Sequence, residues 1–129
     1  MGQALLAPTR LYVKQALAAV RAGGVHGLAH ITGGGLTENP PRVLPEGLAC
    51  AIDLSSWELP PVFRWLAETA GMSEPELLKT FNCGIGMILV VAPDAADAAE
   101  AFLRDAGESV YRLGHVVEGE GVIYSGKLL

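Results

Sequence analysis

The segment His30-Ile31-Thr32-Gly33-Gly34-Gly35-Leu36-Thr37-Glu38-Asn39 carries the strongest chemical signal in the sequence. Three successive glycines remove every Cβ from a short stretch, so backbone N–H groups can converge on an anion and a phosphate can approach closely. The stretch reads as a phosphate-sized cradle, and equally as a plain flexible turn, because neither G-x-x-x-x-G-K-[ST] nor G-x-G-x-x-G is present. An imidazole at His30 could bond a phosphate or move a proton near neutral pH; the plainer reading is a histidine that only bonds neighbouring backbone. His26 and His30 have the H-x-x-x-H spacing that binds metal on a helix. On a strand, four residues span about 13 Å, too far to share one ion, so no metal site is expected.

A second glycine-bearing turn is Phe81-Asn82-Cys83-Gly84-Ile85-Gly86. Asn82 offers a donor and an acceptor, and Gly84 and Gly86 let a ligand or another backbone come close. Cys83 is not expected to be a nucleophile, since no histidine or basic group lies near it in sequence and small buried cysteines are commonly inert. Arg10 and Arg42 sit near helix or loop ends where either could pair with a phosphate, although solvated surface is the commoner fate of an arginine. Trp57 and Trp65 read as core.

These residues need elements to hold them. Pro8-Thr9 opens a helix with Val13, Ala16, Leu17 and Val20 on one face, stopped by Gly23-Gly24. Residues 25–31 form a short strand that runs straight into the triple glycine. Residues 36–44 contain Asn39-Pro40-Pro41, so any helix there is short. Residues 48–54 are a second strand. Pro60-Pro61 starts a helix with Phe63, Leu66, Ala67 and Ala70 on one face and Gly71 at its close, and Ser73 and Glu76 have capping-box spacing for the next. Residues 87–91 are apolar throughout, which predicts a central strand buried on both faces. Pro93-Asp94 begins a helix with Ala95, Ala98, Ala99, Phe102, Leu103 and Ala106 on one stripe, Glu100 four residues before Arg104, and Gly107 as its cap. Residues 109–117 and 122–124 read as a closing pair of strands joined around Gly119-Glu120-Gly121. The alternation predicts a sheet with helices packed on it.

At 129 residues, half of them hydrophobic, the chain is one domain's worth. A globule of this size buries roughly two-thirds of its unfolded surface and folds without staples. The cysteines Cys50 and Cys83 form no C-x-x-C pair and read as reduced thiols of a cytosolic protein. Nine basic against fourteen acidic residues leave a net charge of −5 with no basic block, which argues against a nucleic-acid partner. The longest apolar run, residues 87–92, falls far short of the roughly 20 that a membrane span needs. A soluble, cytoplasmic protein is expected. No internal repeat is present.

Four segments taken together are more specific than any one of them: Leu6-Ala7-Pro8-Thr9-Arg10-Leu11-Tyr12-Val13-Lys14, Leu28-Ala29-His30-Ile31-Thr32-Gly33-Gly34-Gly35, Glu38-Asn39-Pro40-Pro41-Arg42-Val43-Leu44-Pro45 and Thr80-Phe81-Asn82-Cys83-Gly84-Ile85-Gly86-Met87. In order and spacing they resemble the C-terminal domain of the phosphoribosylformylglycinamidine cyclo-ligase (aminoimidazole ribonucleotide synthetase) family, from about residue 6 to residue 117. The resemblance implies an α+β fold, a three-layer α/β/α domain with a mixed sheet of about four main strands, partly ferredoxin-like. It implies that residues 1–129 are a single domain lacking the family's N-terminal ATP-binding and dimerisation domain, so that the chain alone is inactive.

The family's reaction closes an imidazole ring. ATP phosphorylates an amide oxygen, which is otherwise a poor leaving group, and the substrate's own amine attacks the iminophosphate and expels phosphate. Each step handles phosphate charge, which suits backbone donors aided by Mg²⁺. By this resemblance His30 is the candidate catalytic residue, and Thr32, Gly33, Gly34, Gly35, Asn39, Arg42, Asn82 and Gly84 are candidates for binding substrate or phosphate. ATP and Mg²⁺ belong to the complete enzyme, with neither held tightly by this domain. The implied partners are the N-terminal domain, a small-molecule nucleotide substrate and, in the full enzyme, a second subunit. The rivals are a sister enzyme of the selenophosphate synthetase, thiamine-phosphate kinase or formylglycinamidine ribonucleotide synthase type, and a non-catalytic small-molecule binding module.

Overall fold

The computed structural model describes Arg21 and residues 23–128; the helix expected before Gly23 and the candidate Arg10 lie outside the described residues. The chain is α+β, and its described residues form five strands in two small sheets. Strand β1 (Val25–His30) pairs antiparallel with β3 (Met87–Val91), with His30 opposite Met87 and Ala29 opposite Ile88. The other sheet is mixed and has the order β4-β2-β5: β2 (Leu48–Asp53) is antiparallel to β4 (Gly114–Glu118) and parallel to β5 (Val122–Ser125).

The helices form where local chemistry ends and starts them. Helix α1 (Gly35–Glu38) is a single turn, followed by a 3-10 turn at Pro40–Val43, as the paired prolines require. Helix α2 (Pro61–Ala70) has proline in its first turn and ends on Gly71 at φ 65, whose N–H donates to the Ala67 carbonyl. Helix α3 (Glu74–Thr80) carries the predicted capping box, with Ser73 and Glu76 bonding each other's backbone N–H, each at 3.4 Å. Helix α4 (Ala96–Asp105) follows a 3-10 turn at Pro93–Ala95 and closes in a Schellman motif: Gly107 N–H donates to Arg104 O and Glu108 N–H to Leu103 O, both at 3.0 Å. The expected Glu100–Arg104 pair is present at 3.3 Å.

The core lies between the β1–β3 ribbon, α1, α2, α3 and the inner face of β2. Leu36, Leu77 and Cys83 have no exposed surface. Burying a leucine fully is worth about 1.5–3 kcal/mol, so Leu36 anchors α1, and with it the end of the glycine loop.

Four expectations about packing are corrected. Strand β3 is not central: all five of its residues are half-buried and, among the described residues, its one strand partner is β1. Strands β4 and β5 do not pair with each other, because β2 lies between them. The connection passes over the start of β2, where Gly119 N–H donates to Gly47 O at 3.0 Å and Cys50 N–H to Gly121 O at 3.1 Å. Both edges of β2 are thereby hydrogen-bonded, which an isolated β4–β5 hairpin would not achieve. Finally, α4 contains no buried residue, and Phe102 is 38% exposed. Its apolar stripe borders a groove of about 440 Å³ lined by Gly23, Gly24, Ala92, Ala95, Ala99 and Phe102 among others. Trp65 is likewise 38% exposed rather than core, whereas Trp57 is buried as expected. Among the described residues, no helix is long and apolar enough to cross a membrane.

Candidate functional site

Antiparallel pairing of β1 with β3 puts the exit of one strand beside the entry of the other. Ile31 N–H donates to Gly86 O at 2.9 Å, which continues the ladder one step past His30. The glycine loop after β1 and the turn at residues 82–86 before β3 are therefore neighbours at one end of this sheet. Two segments about fifty residues apart meet as the sequence reading requires.

Within the loop, the backbone donors divide into two classes. Thr32 N–H is taken by Asn39 Oδ1 at 2.6 Å, and Gly35 N–H by Thr32 O at 2.9 Å. The amides of Gly33 and Gly34 have no hydrogen-bond partner among the described residues. Gly33 is exposed and Gly34 half-buried. Of the four amides expected to form a cradle, two adjacent ones remain available to an anion. Asn39 is also different from what was expected. It is only 5% exposed, and its Nδ2 donates to Gly33 O at 3.1 Å, so the side chain braces the loop from behind. A buried amide paired on both ends is a structural clamp.

Gly34 and Gly35 must be glycine for different reasons. Gly34 has φ 97, and a Cβ there would lie 2.8 Å from Glu38 Cβ. Gly35 has φ 60 and is pressed onto the C-terminal end of α3, where a Cβ would collide with Leu78 O and Phe81 O. A Cβ on Gly33 would meet nothing within 4 Å. The Glu38 carboxylate reaches over Gly34 and stands 3.8 Å from the Arg42 guanidinium. The Arg42 side chain is 66% exposed, so this pair contributes little to stability.

In the neighbouring turn, Asn82 Oδ1 accepts from Gly84 N–H at 2.9 Å and Asn82 O accepts from Ile85 N–H at 3.0 Å. Its Nδ2 has no protein partner among the described residues. Gly84, at φ 92, is required by the turn and by the close approach of Pro60, whose Cγ would lie 2.6 Å from a Cβ. This accounts for Gly84 by packing alone. His30 is exposed on the face of β1 opposite Ala29, two residues before Thr32. Among the described residues, no three of His, Cys, Asp and Glu gather where they could hold a metal ion.

Cys83 sits between these groups yet is chemically quiet. It is fully buried at φ 54, its Sγ points at Leu77 O and Phe81 O at 3.7 and 3.8 Å, and Trp57 Nε1–H donates to its carbonyl at 3.0 Å. Burial, reinforced by the negative charge of Glu74, pushes its thiol up to about 12. Burial raises Cys50 as well, and neither cysteine is in a disulfide. At pH 8 both thiols are protonated and enclosed. A thiol-specific chromogenic reagent should label neither in the native protein and both in denaturant; rapid native labelling of Cys83 would contradict the enclosed turn.

One contact at this site leaves no local trace in the sequence. Thr37 Oγ1 and Tyr124 Oη lie 3.0 Å apart, joining α1 to β5 across 87 positions of chain.

The chain matches the family described as "AIR synthase related protein, C-terminal domain" over residues 1–126. It is 54% identical over 120 residues, 93% of its length, to the Dictyostelium discoideum protein named bifunctional purine biosynthetic protein purD, of which it spans 15%. The E. coli hydrogenase maturation protein HypE superposes with a TM-score of 0.70 at 24% identity, over 91% of this chain and 37% of HypE, a likeness of fold. The protein tt0281 from Thermus thermophilus gives a TM-score of 0.60 at 29% identity, over 88% of this chain and 36% of that one. With nearly its whole length matched, the chain belongs to the AIR synthase related family and is its C-terminal domain.

Proposed function

We propose that this domain forms one wall of the active site of an ATP-dependent cyclo-ligase of purine biosynthesis, the enzyme that converts formylglycinamidine ribonucleotide to aminoimidazole ribonucleotide. The observation that carries this reading is the pair of amides at Gly33 and Gly34, unpartnered among the described residues, on a loop beside the turn that carries Asn82. Identity of 54% to a purine biosynthetic protein supports it over the sister enzymes, since the likeness to HypE is one of fold alone.

In this reading the two amides donate to oxygens of a phosphate, and Asn82 Nδ2 helps orient it. Donors fixed before the reaction need no reorganisation as charge develops, which is how such a site lowers a phosphoryl-transfer barrier. Asn39 holds the loop from behind. His30, at the loop's mouth, orients substrate or moves a proton. Mg²⁺ would arrive with the nucleotide and neutralise phosphate charge; no described residue of this chain is assigned to it. The second wall is an N-terminal domain that also forms the homodimer, and the complete enzyme works in the cytoplasm.

The test is reconstitution. The chain alone, given ATP, Mg²⁺ and formylglycinamidine ribonucleotide, should form no aminoimidazole ribonucleotide, and adding the family's N-terminal domain should restore ATP-dependent turnover. Turnover by the chain alone would refute the two-wall reading. Tight ATP binding by the isolated chain in calorimetry would favour a stand-alone sensor instead.

A further inference from the structure

Helix α1 is one turn long, Gly35–Glu38, far shorter than a helix that holds itself together. Its orientation therefore comes from tertiary contacts, and so does the direction of the Gly33 and Gly34 amides immediately before it. Besides the burial of Leu36 in the core, three contacts hold this unit. Asn39 clamps Thr32 and Gly33 from behind. Gly35 is seated against the carbonyls of Leu78 and Phe81. The third is the bond between Thr37 Oγ1 and Tyr124 Oη at 3.0 Å. Tyr124 is fixed by its own strand: it faces Ile52 in the parallel β2–β5 register and packs against the core. Of the three contacts, this one alone comes from the β4-β2-β5 sheet.

We propose that Tyr124 is a positioning residue for the phosphate loop, its phenol oxygen holding Thr37 so that the Gly33 and Gly34 amides keep one common direction. The proposal rests on reading that loop as a phosphate site. Two donors bind one oxyanion well only if they already point at it, because any freedom between them must be lost on binding. Without the phenol oxygen, α1 remains attached at Leu36, Asn39 and Gly35 but loses its hydrogen bond to the β4-β2-β5 sheet and can tilt about those points. Burial pushes the ionisation of Tyr124 to higher pH than usual, so the hydroxyl is intact throughout the neutral range and the bond does not switch with pH there.

The experiment uses the full 129-residue chain, isotopically labelled, titrated with millimolar inorganic pyrophosphate while its backbone amide signals are followed by NMR. In the parent protein the Gly33 and Gly34 signals should shift together and saturate. Tyr124→Phe and Thr37→Val should weaken that binding at least about five-fold with the remaining spectrum and the melting temperature little changed, a loss of preorganisation rather than of fold. Thr37→Ser keeps the hydroxyl and should bind within about two-fold of the parent. Shifts in the parent with equal affinity in Tyr124→Phe and Thr37→Val would overturn the role of Tyr124 and leave the loop reading in place. No shift at Gly33 and Gly34 in the parent would remove the loop reading, and this proposal with it. Should Tyr124→Phe unfold, Thr37→Val decides, since it removes the same bond with a side chain of nearly equal shape.

Discussion

Replacing Gly35 by alanine is expected to lower the unfolding temperature by about 8–20 °C. Two effects add. At φ 60 an L-residue is in the left-handed region, which costs about 1–2 kcal/mol. The new Cβ would also overlap Leu78 O and lie 2.6 Å from Phe81 O. Both are backbone atoms at the end of α3, and Leu77 and Leu78 there are buried, so relief requires a shift of packed main chain. Overpacking of that kind costs about 1–3 kcal/mol, giving a total of about 2–5 kcal/mol. Near 130 residues, each kcal/mol corresponds to about 4 °C. Gly33→Ala is the internal comparison: its Cβ meets nothing within 4 Å and its φ is not in the left-handed range, so its effect should stay within about 0.5 kcal/mol. Thermal and urea unfolding followed by circular dichroism measures both. Equal melting of the two variants would mean that the loop is not seated on α3.

This contrast shows where the sequence was legible and where it was not. The triple glycine marked the loop, and the strand before it placed that loop at a sheet's end, both consequences of local chemistry. The capping box of Ser73 and Glu76, the glycine stops at Gly71 and Gly107, and the short helix imposed by Pro40-Pro41 are legible for the same reason. Which of three adjacent glycines is seated and which is open depends on what packs behind each, and α3 lies about forty residues further along. Asn39 illustrates the same limit. Its position beside the loop was evident, but whether a short amide side chain turns toward a ligand or back onto its own backbone depends on loop curvature, and here it turns back. Pairing partners of strands were the least legible. Periodicity reports which faces of a strand are apolar, not which strand lies alongside, so β4 and β5 read as a hairpin although β2 separates them. An unbroken apolar run such as residues 87–91 likewise reads as a doubly covered strand, whereas β3 is half-buried throughout. Tyr124 had no signal at all, because its partner is 87 residues away and a lone tyrosine in a short strand is unremarked.

The largest functional effect is expected from Gly34→Val in the enzyme completed with its N-terminal domain: a fall in kcat of about 100-fold or more. A β-branched residue at φ 97 is a genuine backbone outlier, and its Cβ would sit 2.8 Å from Glu38 Cβ, an atom close to the α1 backbone and not free to swing away. The chain can relieve this only by rotating the peptides on either side of residue 34, and the first of them carries the unpartnered Gly34 amide. Loss of one fixed donor to a developing oxyanion typically costs 10²–10³ in kcat, roughly 3–4 kcal/mol of barrier. The second peptide carries the Gly35 N–H bonded to Thr32 O, but the Asn39 bonds and the buried Leu36 still hold the loop, so the domain should remain folded at assay temperature, to be checked by circular dichroism on the same samples. Gly34→Ala should be intermediate, since it adds the Cβ without the branch. Graded loss from glycine to alanine to valine with the fold retained is what a backbone anion site requires; turnover unchanged in the valine variant would take the loop out of the mechanism, leaving the glycines as packing alone.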